Sequence, residues 1–578
     1  MGKGAPVSVR RDRRDLIKGL AGGASAAWLG SWLTGCGDKP APEWSSKESG
    51  SWVGGSVPRG HQFRDAGHGA VGEPLRRRAH TIIVGAGVAG LSAARVLQRC
   101  GLDDFVVLEL EDQAGGNARA HQLGGMACPL GAHYLPVPGD QAPGLAQWLE
   151  ELRLIRREHG RWVGDERHLC HAPHERIFVP EVPVPTGAVW RGAWHEGLMQ
   201  SQAPSSETRR QFALFAKLVQ QTAQACAFAM PTEQARWTSA HTALDLMTFA
   251  DWVKQSGLND PRLMWYLDYV CRDDYGASMA RVSAWAGLQY FAARHDLRHD
   301  DWHEDASPVL TWPQGNAWLT QQLAQPLSER LKTAQIVMQI EPQRQSVAVR
   351  VWSEAAKQHV QWQAQHVILA VPLFVARRML GDHWPALSQH AARQAYAPWL
   401  VSNLLIQAPL LDRAGASLAW DNVIYADRSA SAVGVPSLGY VHAGHQNLDI
   451  PVGEQVWTHY WALGGTSASD AQRWRQSLLQ SSWQTWAQHV VDDLAVVHPD
   501  LPTQLKRIDL MRYGHAMAIP EPGVRSAPAL QALRQAHGRL HLAHADLSAY
   551  SVLEEAFAHG QRAAYQVLSA SGISRRIV

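Results

Sequence analysis

The chain is poor in cysteine, in net charge and in long apolar runs. Its six cysteines (Cys36, Cys100, Cys128, Cys170, Cys226 and Cys271) never fall at CxxC spacing. That argues against a paired-thiol zinc site and a thioredoxin-type dithiol, and leaves plain buried thiols; no metal site is expected. Lysine plus arginine, 54, nearly cancel aspartate plus glutamate, 52, for a formal net charge of +2. With no basic face, a nucleic-acid partner is not expected. No internal repeat is visible. No run reaches the about 20 apolar residues of a membrane span. What remains is globular in composition, 46% hydrophobic and 18% charged. At 578 residues it is too long for one simple core, so two or three domains are expected. The 25 tryptophans would largely be core, but a tryptophan-rich domain also suits a large apolar or cationic ligand.

The most informative stretch is Thr81-Ile-Ile-Val-Gly-Ala-Gly-Val-Ala-Gly90. An apolar run of strand character leads into Gly85, Ala86, Gly87 and Gly90, and Leu91, Ala94, Val96 and Leu97 read as a helix. A second apolar run, Phe105-Val-Val-Leu, ends at Glu109. This is the dinucleotide fingerprint with strand, turn, helix, strand and acid at the right spacing. Gly85 makes the tight turn, Gly87 admits a pyrophosphate to the backbone, and Gly90 lets helix pack on strand. The helix N-terminus faces the phosphates, and Glu109 accepts from ribose hydroxyls. The alternative is a tight βα turn that binds nothing.

Later segments narrow the ligand. Gly115-Gly116, with Asn117 and Arg119, resembles a second motif of FAD-binding flavoproteins, in which backbone and a nearby arginine contact the pyrophosphate. The loop Cys128-Pro-Leu-Gly-Ala-His-Tyr134, with Gly131, Ala132 and His133, resembles the one beside the isoalloxazine ring. Pro313-Gln-Gly-Asn-Ala-Trp-Leu319 resembles the turn and helix before an adenine-contacting strand, which would hold Val337. Gly538 to Asp546 and Glu554 to Ala564 resemble the closing FAD motif, with Asp546 near the ribityl–phosphate region and a helix N-terminus, at Leu553, under the flavin pyrimidine. Over about residues 79–570 the chain thus resembles the flavin-containing amine oxidase superfamily, which includes monoamine and polyamine oxidases, protoporphyrinogen oxidase and phytoene-desaturase-like enzymes. The resemblance implies bound FAD and an α/β (α+β) fold, in which a Rossmann-like FAD-binding domain is interleaved with a mixed substrate-binding domain. It also implies a small-molecule substrate at the ring face, oxidised at a C–N or C–C bond. Two alternatives stand beside it: a polyene- or porphyrinogen-type desaturase or isomerase, and a redox-silent flavoprotein serving envelope binding or assembly.

The chain departs from that pattern in two places. The family's lysine beside flavin N5 has no counterpart: the strand Pro398 to Ile406 offers Ser402 and Asn403, and no lysine occurs between Lys357 and Lys506. Slow reaction with oxygen, and a dehydrogenase using another acceptor such as a membrane quinone, are the expectation. Val552 falls where an aromatic-cage tyrosine is expected, with Tyr550 out of register, Glu555 in place of a glycine and His544 in place of another. Catalytic candidates are few. Cys271-Arg-Asp-Asp-Tyr-Gly276 offers Arg272 to clamp a carboxylate and an acid, Asp274, for an amine, or is simply a charged helix end. His515 reads as a base or polar contact near the ring, or as a buried, hydrogen-bonded histidine.

The expected organisation is a signal over 1–36, a linker over 37–78, FAD-binding segments over 79–142, 310–395 and 513–570, and substrate segments over 143–309, mainly helical, and 396–512. Within the last, Trp399 to Gln407 and Val456 to Leu463 read as strands and Gln472 to Val491 as a helix. Arg13-Arg14-Asp-Leu-Ile-Lys18 is a twin-arginine pattern, and Leu33-Thr-Gly-Cys36 has the form of a lipoprotein cleavage box. The twin-arginine route carries folded proteins, which suits one that must acquire FAD before export. Periplasmic or cell-envelope residence, with a lipid anchor at Cys36, follows as an expectation. Changing Arg13→Lys together with Arg14→Lys should leave the protein in the cytoplasm, and Cys36→Ser should release it from membranes with its flavin content unchanged; fractionation and N-terminal mass analysis read both, and a soluble protein that keeps Met1 would contradict the scheme.

Overall fold

The computed structural model describes residues 49–65, 73–170, 174–181, 191–198, 205–294, 308–426, 433–442 and 453–573. Arg13, Arg14 and Cys36 lie outside the described residues.

One seven-stranded sheet is built on Leu75–Val84, which pairs in parallel with Phe105–Leu108 and with Gln358–Leu369; the latter also pairs in parallel with Leu540–Leu542. Side chains alternate across a strand, and this sheet is apolar on both faces because helices cover both. Ile83, Val107 and Ile368 share a core with the helices Val88–Arg99 and Leu553–Ala570. Ile82, Val84, Val106, Leu108, Val367 and Leu369 face the helices Leu373–Leu380 and Pro385–Ala391.

An eight-stranded sheet is centred on Ala395–Ile406, antiparallel to both Leu505–Ile519 and Gln455–Ala462. Leu400, Leu404 and Ile406 share a core with Trp483–Ala495. Ala397, Trp399 and Val401 share the other with Ser206–Ala225, Pro261–Tyr275 and Ala284–Gln289. That second core also takes in Leu130, Tyr550 and Val552, so it reaches the loop and closing turn expected beside a flavin.

Across 143–309 the described elements are mainly helical, with the antiparallel pairs Ile155–Glu158 with Arg161–Gly164, and Glu175–Pro180 with Gly192–Glu196, among them. Three expectations need correction. The helix expected over 472–491 is two, Ala468–Gln480 and Trp483–Ala495; Ser481 is extended and Ser482 caps the second through Thr485 N. The segment 37–78 is not all tether: Gly50–Trp52 pairs with Leu505–Ile519, and Val57–Asp65 is helical. The strand Leu505–Ile519 also runs unbroken through the expected boundary at 512/513. The five described cysteines, Cys100, Cys128, Cys170, Cys226 and Cys271, are buried.

The closing helix seats on the first helix through Gly560, where an added Cβ would lie 2.2 Å from Ala89 O, and Ser92 Oγ donates to Phe557 O at 2.9 Å. Because the obstructing atom is backbone, Gly560→Ala should cost about 1–3 kcal/mol. A urea midpoint equal to wild type would show that the two helices can move apart freely.

Candidate cofactor and substrate site

The two glycine turns meet. Gly115 N donates to Ala86 O at 2.8 Å, and a Cβ on Gly116 would stand 3.2 Å from Gly87 Cα. Gly85, at φ +97°, abuts Ala370 O, and a Cβ on Gly90 would stand 1.9 Å from Gly85 O. A Cβ on Gly87, by contrast, would meet nothing nearer than Gly116 Cα at 3.8 Å. Gly87 therefore borders open space, and no side chain caps the helix it begins. Free N–H groups beside a gap suit a pyrophosphate. The Glu109 carboxylate accepts from Ala86 N at 2.7 Å through one oxygen and from Glu111 N at 2.9 Å through the other, leaving lone pairs for ribose hydroxyls. Burial pushes its carboxyl up, while the two amides and Arg119 oppose that. Arg119 Nε donates to Gly116 O at 2.9 Å. The chain thus offers what a dinucleotide needs at this place.

The other expected contacts divide. Asn117 O accepts from Ala132 N at 3.1 Å and Asn117 Nδ2 donates to Ala516 O at 2.8 Å, so the second turn holds the loop of Gly131, Ala132 and His133. A Cβ on Gly131 would stand 2.2 Å from Asn117 O. Ala132 is exposed. Leu553 opens the closing helix and Val337 is buried in the strand Gln335–Pro342. Asp546 is already engaged: Leu373 N donates to Oδ2 at 3.0 Å and Tyr396 Oη at 2.5 Å. Burial alone would lift its carboxyl, but His544 and these donors hold it below the ordinary value.

Beyond the loop lies a group of acids that sequence reading missed in part. Asp273 sits on Pro261–Tyr275, Asp421 on Asp421–Ile424 and Glu175 on Glu175–Pro180. All three interact electrostatically with Tyr269 and with one another through Asp421. Asp273 and Asp421 are deep in the protein yet keep accessible surface, which is how residues bordering an interior space behave. No hydrogen bond or ion pair to the Asp273 carboxylate is found among the described residues. Burial, then the charge of Asp274, push its carboxyl up to about 7, against Arg294 and Arg272. Burial and then Glu175 push Asp421 well up. Asp273 acts electrostatically on Tyr269, Tyr460 and Tyr134, and further rings pack against these. His133 stacks on Tyr460 at 4.6 Å and lies 5.3 Å from Trp420; Trp265 is 5.4 Å from Tyr269 and 4.9 Å from Tyr425. Burial holds His133 neutral, its value pushed down to about 3.

The proposed catalytic residues fare differently. Arg272 is a correction: its Nη1 donates to Pro436 O at 2.9 Å and its Nε lies 3.2 Å from Asp268, so it is spent on structure. Asp274 is not free either; it is shared by Arg294 and the Tyr550 hydroxyl. Arg294 was not foreseen. It lies 5.3 Å over the Tyr134 ring and 3.8 Å from Glu554, one ring away from the Ala132 loop. His515 packs against Phe374 at 4.6 Å and Tyr396 at 5.8 Å, the neighbours of Asp546, and burial pushes it down to about 4. At the strand position of the family lysine, Asn403 is neutral and satisfied, donating to Pro129 O at 3.0 Å and accepting from Thr458 Oγ1 at 2.8 Å. Among the described residues no group of His, Cys, Asp and Glu is arranged to hold a metal ion.

Residues 88–568 match the family model described as flavin containing amine oxidoreductase. Short stretches match curated proteins: polyamine oxidase 1 of Zea mays at 36% identity over 70 residues, and protein anon-37Cs of Drosophila melanogaster at 39% over 69. Each covers 12% of this chain and 14% of the relative. Solved structures match far more widely. Putrescine oxidase bound to putrescine gives a TM-score of 0.61 at 14% identity, over 86% of this chain and 100% of that one. Cyclohexylamine oxidase from Brevibacterium oxydans gives 0.60 at 17%, over 86% and 99%. A fatty acid isomerase from P. acnes gives 0.58 at 15%, over 84% and 97%. At these identities the likeness is one of fold.

The two glycines should separate folding from cofactor binding. Gly87 has an ordinary extended backbone, φ −74° and ψ −177°, and space beside it. Gly87→Val should therefore yield a folded protein with native circular dichroism and no flavin absorbance. Gly90→Ala should lose stability as well. A yellow Gly87→Val protein would mean that no cofactor passes between these turns.

Proposed function

The chain belongs to the flavin-containing amine oxidoreductase family and binds FAD, and we propose that it is an exported FAD-dependent oxidoreductase that oxidises the C–N bond of a cationic amine. The observation that carries this reading is the set of Asp273, Asp421 and Glu175, which act on one another and on Tyr269, with Asp273 also acting on Tyr134 of the Gly131 to Tyr134 loop. Burial raises the Asp273 and Asp421 carboxyls, and an ammonium beside them supplies the charge that favours their ionised form. Tryptophan and tyrosine faces add attraction for the same cation. Bound FAD supplies the hydride acceptor. The protein's part is to seat the substrate, exclude water and manage one proton. Asp273, titrating near neutrality and with no hydrogen bond or ion pair to its carboxylate among the described residues, takes the ammonium proton, so that a neutral nitrogen faces the ring. Arg294, Asp274 and Tyr550 fix the floor below.

Electrons leave to a quinone-type acceptor in this proposal, because Ser402 and Asn403 bring no ammonium to the place where the family's lysine would stand. The export signal and a lipid at Cys36 would set the protein beside such a membrane pool. Isomerisation or desaturation of an apolar chain is the second reading. The aromatic side chains support it, but an apolar substrate brings no charge to answer Asp273 and Asp421.

Equilibrium binding tests the proposal. Cyclohexylamine or putrescine is titrated anaerobically into oxidised holoprotein while the bound flavin's absorbance is followed. Asp273 ionises as pH rises through about 7, so affinity for an ammonium should tighten from pH 6 to pH 8. Asp273→Asn should bind about tenfold or more weakly at pH 8, equivalent to about 1.4 kcal/mol, and lose the pH dependence. Binding that ignores both pH and Asp273→Asn would remove the acids from the account.

A further inference from the structure

The segment Ser49 to Asp65 lies upstream of the glycine-rich turn and of the residues matched by the family model, yet it is tied to the loop that follows the cofactor acid. Gly50–Trp52 is anchored to the eight-stranded sheet, with Val53 N donating to Leu510 O at 2.9 Å and Arg512 lying 4.4 Å over the Trp52 ring. The chain then crosses to the other sheet's loops. Gly54 O accepts from Arg119 Nη1 at 2.6 Å, and the same guanidinium donates to Gly116 O. Ser56 N donates to both carboxylate oxygens of Glu111 at 3.1 Å, and Glu111 N donates to Glu109. Arg59, only 9% exposed, donates to Glu354 at 2.7 and 2.8 Å and to Asp112 at 2.7 Å, and its Nη1 lies 3.8 Å from Glu111. These acids hold the Arg59 guanidinium charge firmly in place, raising its value further.

We propose that residues 53–59 form a strap that closes the dinucleotide site and retains FAD, with Arg59 as its positioning residue. The reason is electrostatic. Glu109 lies under Ala86 at the first turn, Glu111 is bonded to it, and Asp112 and Glu354 gather with Glu111 around Arg59. Arg119 and Arg59 are the cations set against these acids, and Arg59 comes only with the strap. Without Arg59 the acids would repel the pyrophosphate, and the strap that holds Glu111 through Ser56 N and Arg119 through Gly54 O would lose its ties to Asp112 and Glu354. The inference concerns the cofactor and stands independently of the substrate.

Release of FAD from holoprotein, followed by the rise of free-flavin fluorescence after dilution, is the test. Arg59→Ala should release FAD at least tenfold faster than wild type, and Arg59→Lys should keep most of the retention. Adding Asp112→Asn to Arg59→Ala should restore slow release by removing the repulsion. Salt should slow release from Arg59→Ala, because it screens acid–phosphate repulsion. Circular dichroism of the stripped proteins, equal across the set, keeps loss of fold apart from loss of retention. If Arg59→Ala misfolds, Arg59→Gln takes its place with the same expectation. Release at the wild-type rate from the charge-removing variant, or no recovery on adding Asp112→Asn, would overturn the proposal and leave the strap as packing alone.

Discussion

Two turns without side chains, Gly85–Gly87 and Gly115–Gly116, touch through a backbone hydrogen bond and leave a gap between them, and the rest of the site depends on that contact. It sets the helix N-terminus toward the gap and places Glu109 under Ala86. Through Asn117 it also fixes the loop of Gly131 to Tyr134, so the position of one end of the cofactor determines where the reacting end lies. Gly560 serves the same geometry from behind, by letting the closing helix approach Ala89.

Charge in the interior divides into two classes. Some groups are compensated by protein: Asp274 by Arg294 and Tyr550, Asp546 by His544 and Tyr396, Arg272 by carbonyls and Asp268. Asp273 is not. Leaving one acid uncompensated in a dry interior is costly for stability. Such a cost is tolerable where a ligand supplies the missing charge, which is why the uncompensated acid, and not the better-connected ones, points to the substrate's chemistry. Asp273 and Asp274 differ by one step along a helix, about 100° of rotation. That step turns one carboxylate toward Arg294 and the other toward the aromatic ring set.

This also explains what was legible in the sequence. The cofactor half was, because a tight turn, a close backbone approach and an acid at fixed spacing leave local marks at Gly85, Gly87, Gly90 and Glu109. The central strand around Trp399 to Ile406 was legible through its apolar run. The substrate side was not. Tyr550 and Asp274 meet across 276 residues, and Arg294 reaches Glu554 across a similar span, so no local spacing records either contact. Arg272 looked like chemistry because its neighbours in sequence are acids, but carbonyls from Pro436 and Ser437 claim it. The strap was hidden for a related reason: Gly, Ser and Pro around residues 49–65 read as a tether, while the partners that order it, Glu111, Arg119 and Glu354, lie far along the chain.

The central claim is that an interior acid set beside a flavin makes this chain an oxidant of amines. Anaerobic stopped-flow mixing of the FAD-loaded protein with primary and secondary amines, and separately with a polyene and a porphyrinogen, tests it most directly. The account predicts bleaching of the oxidised flavin by at least one amine, with the aldehyde or ketone of imine hydrolysis as product. Bleaching by the apolar substrates alone, with every amine inert, would contradict it.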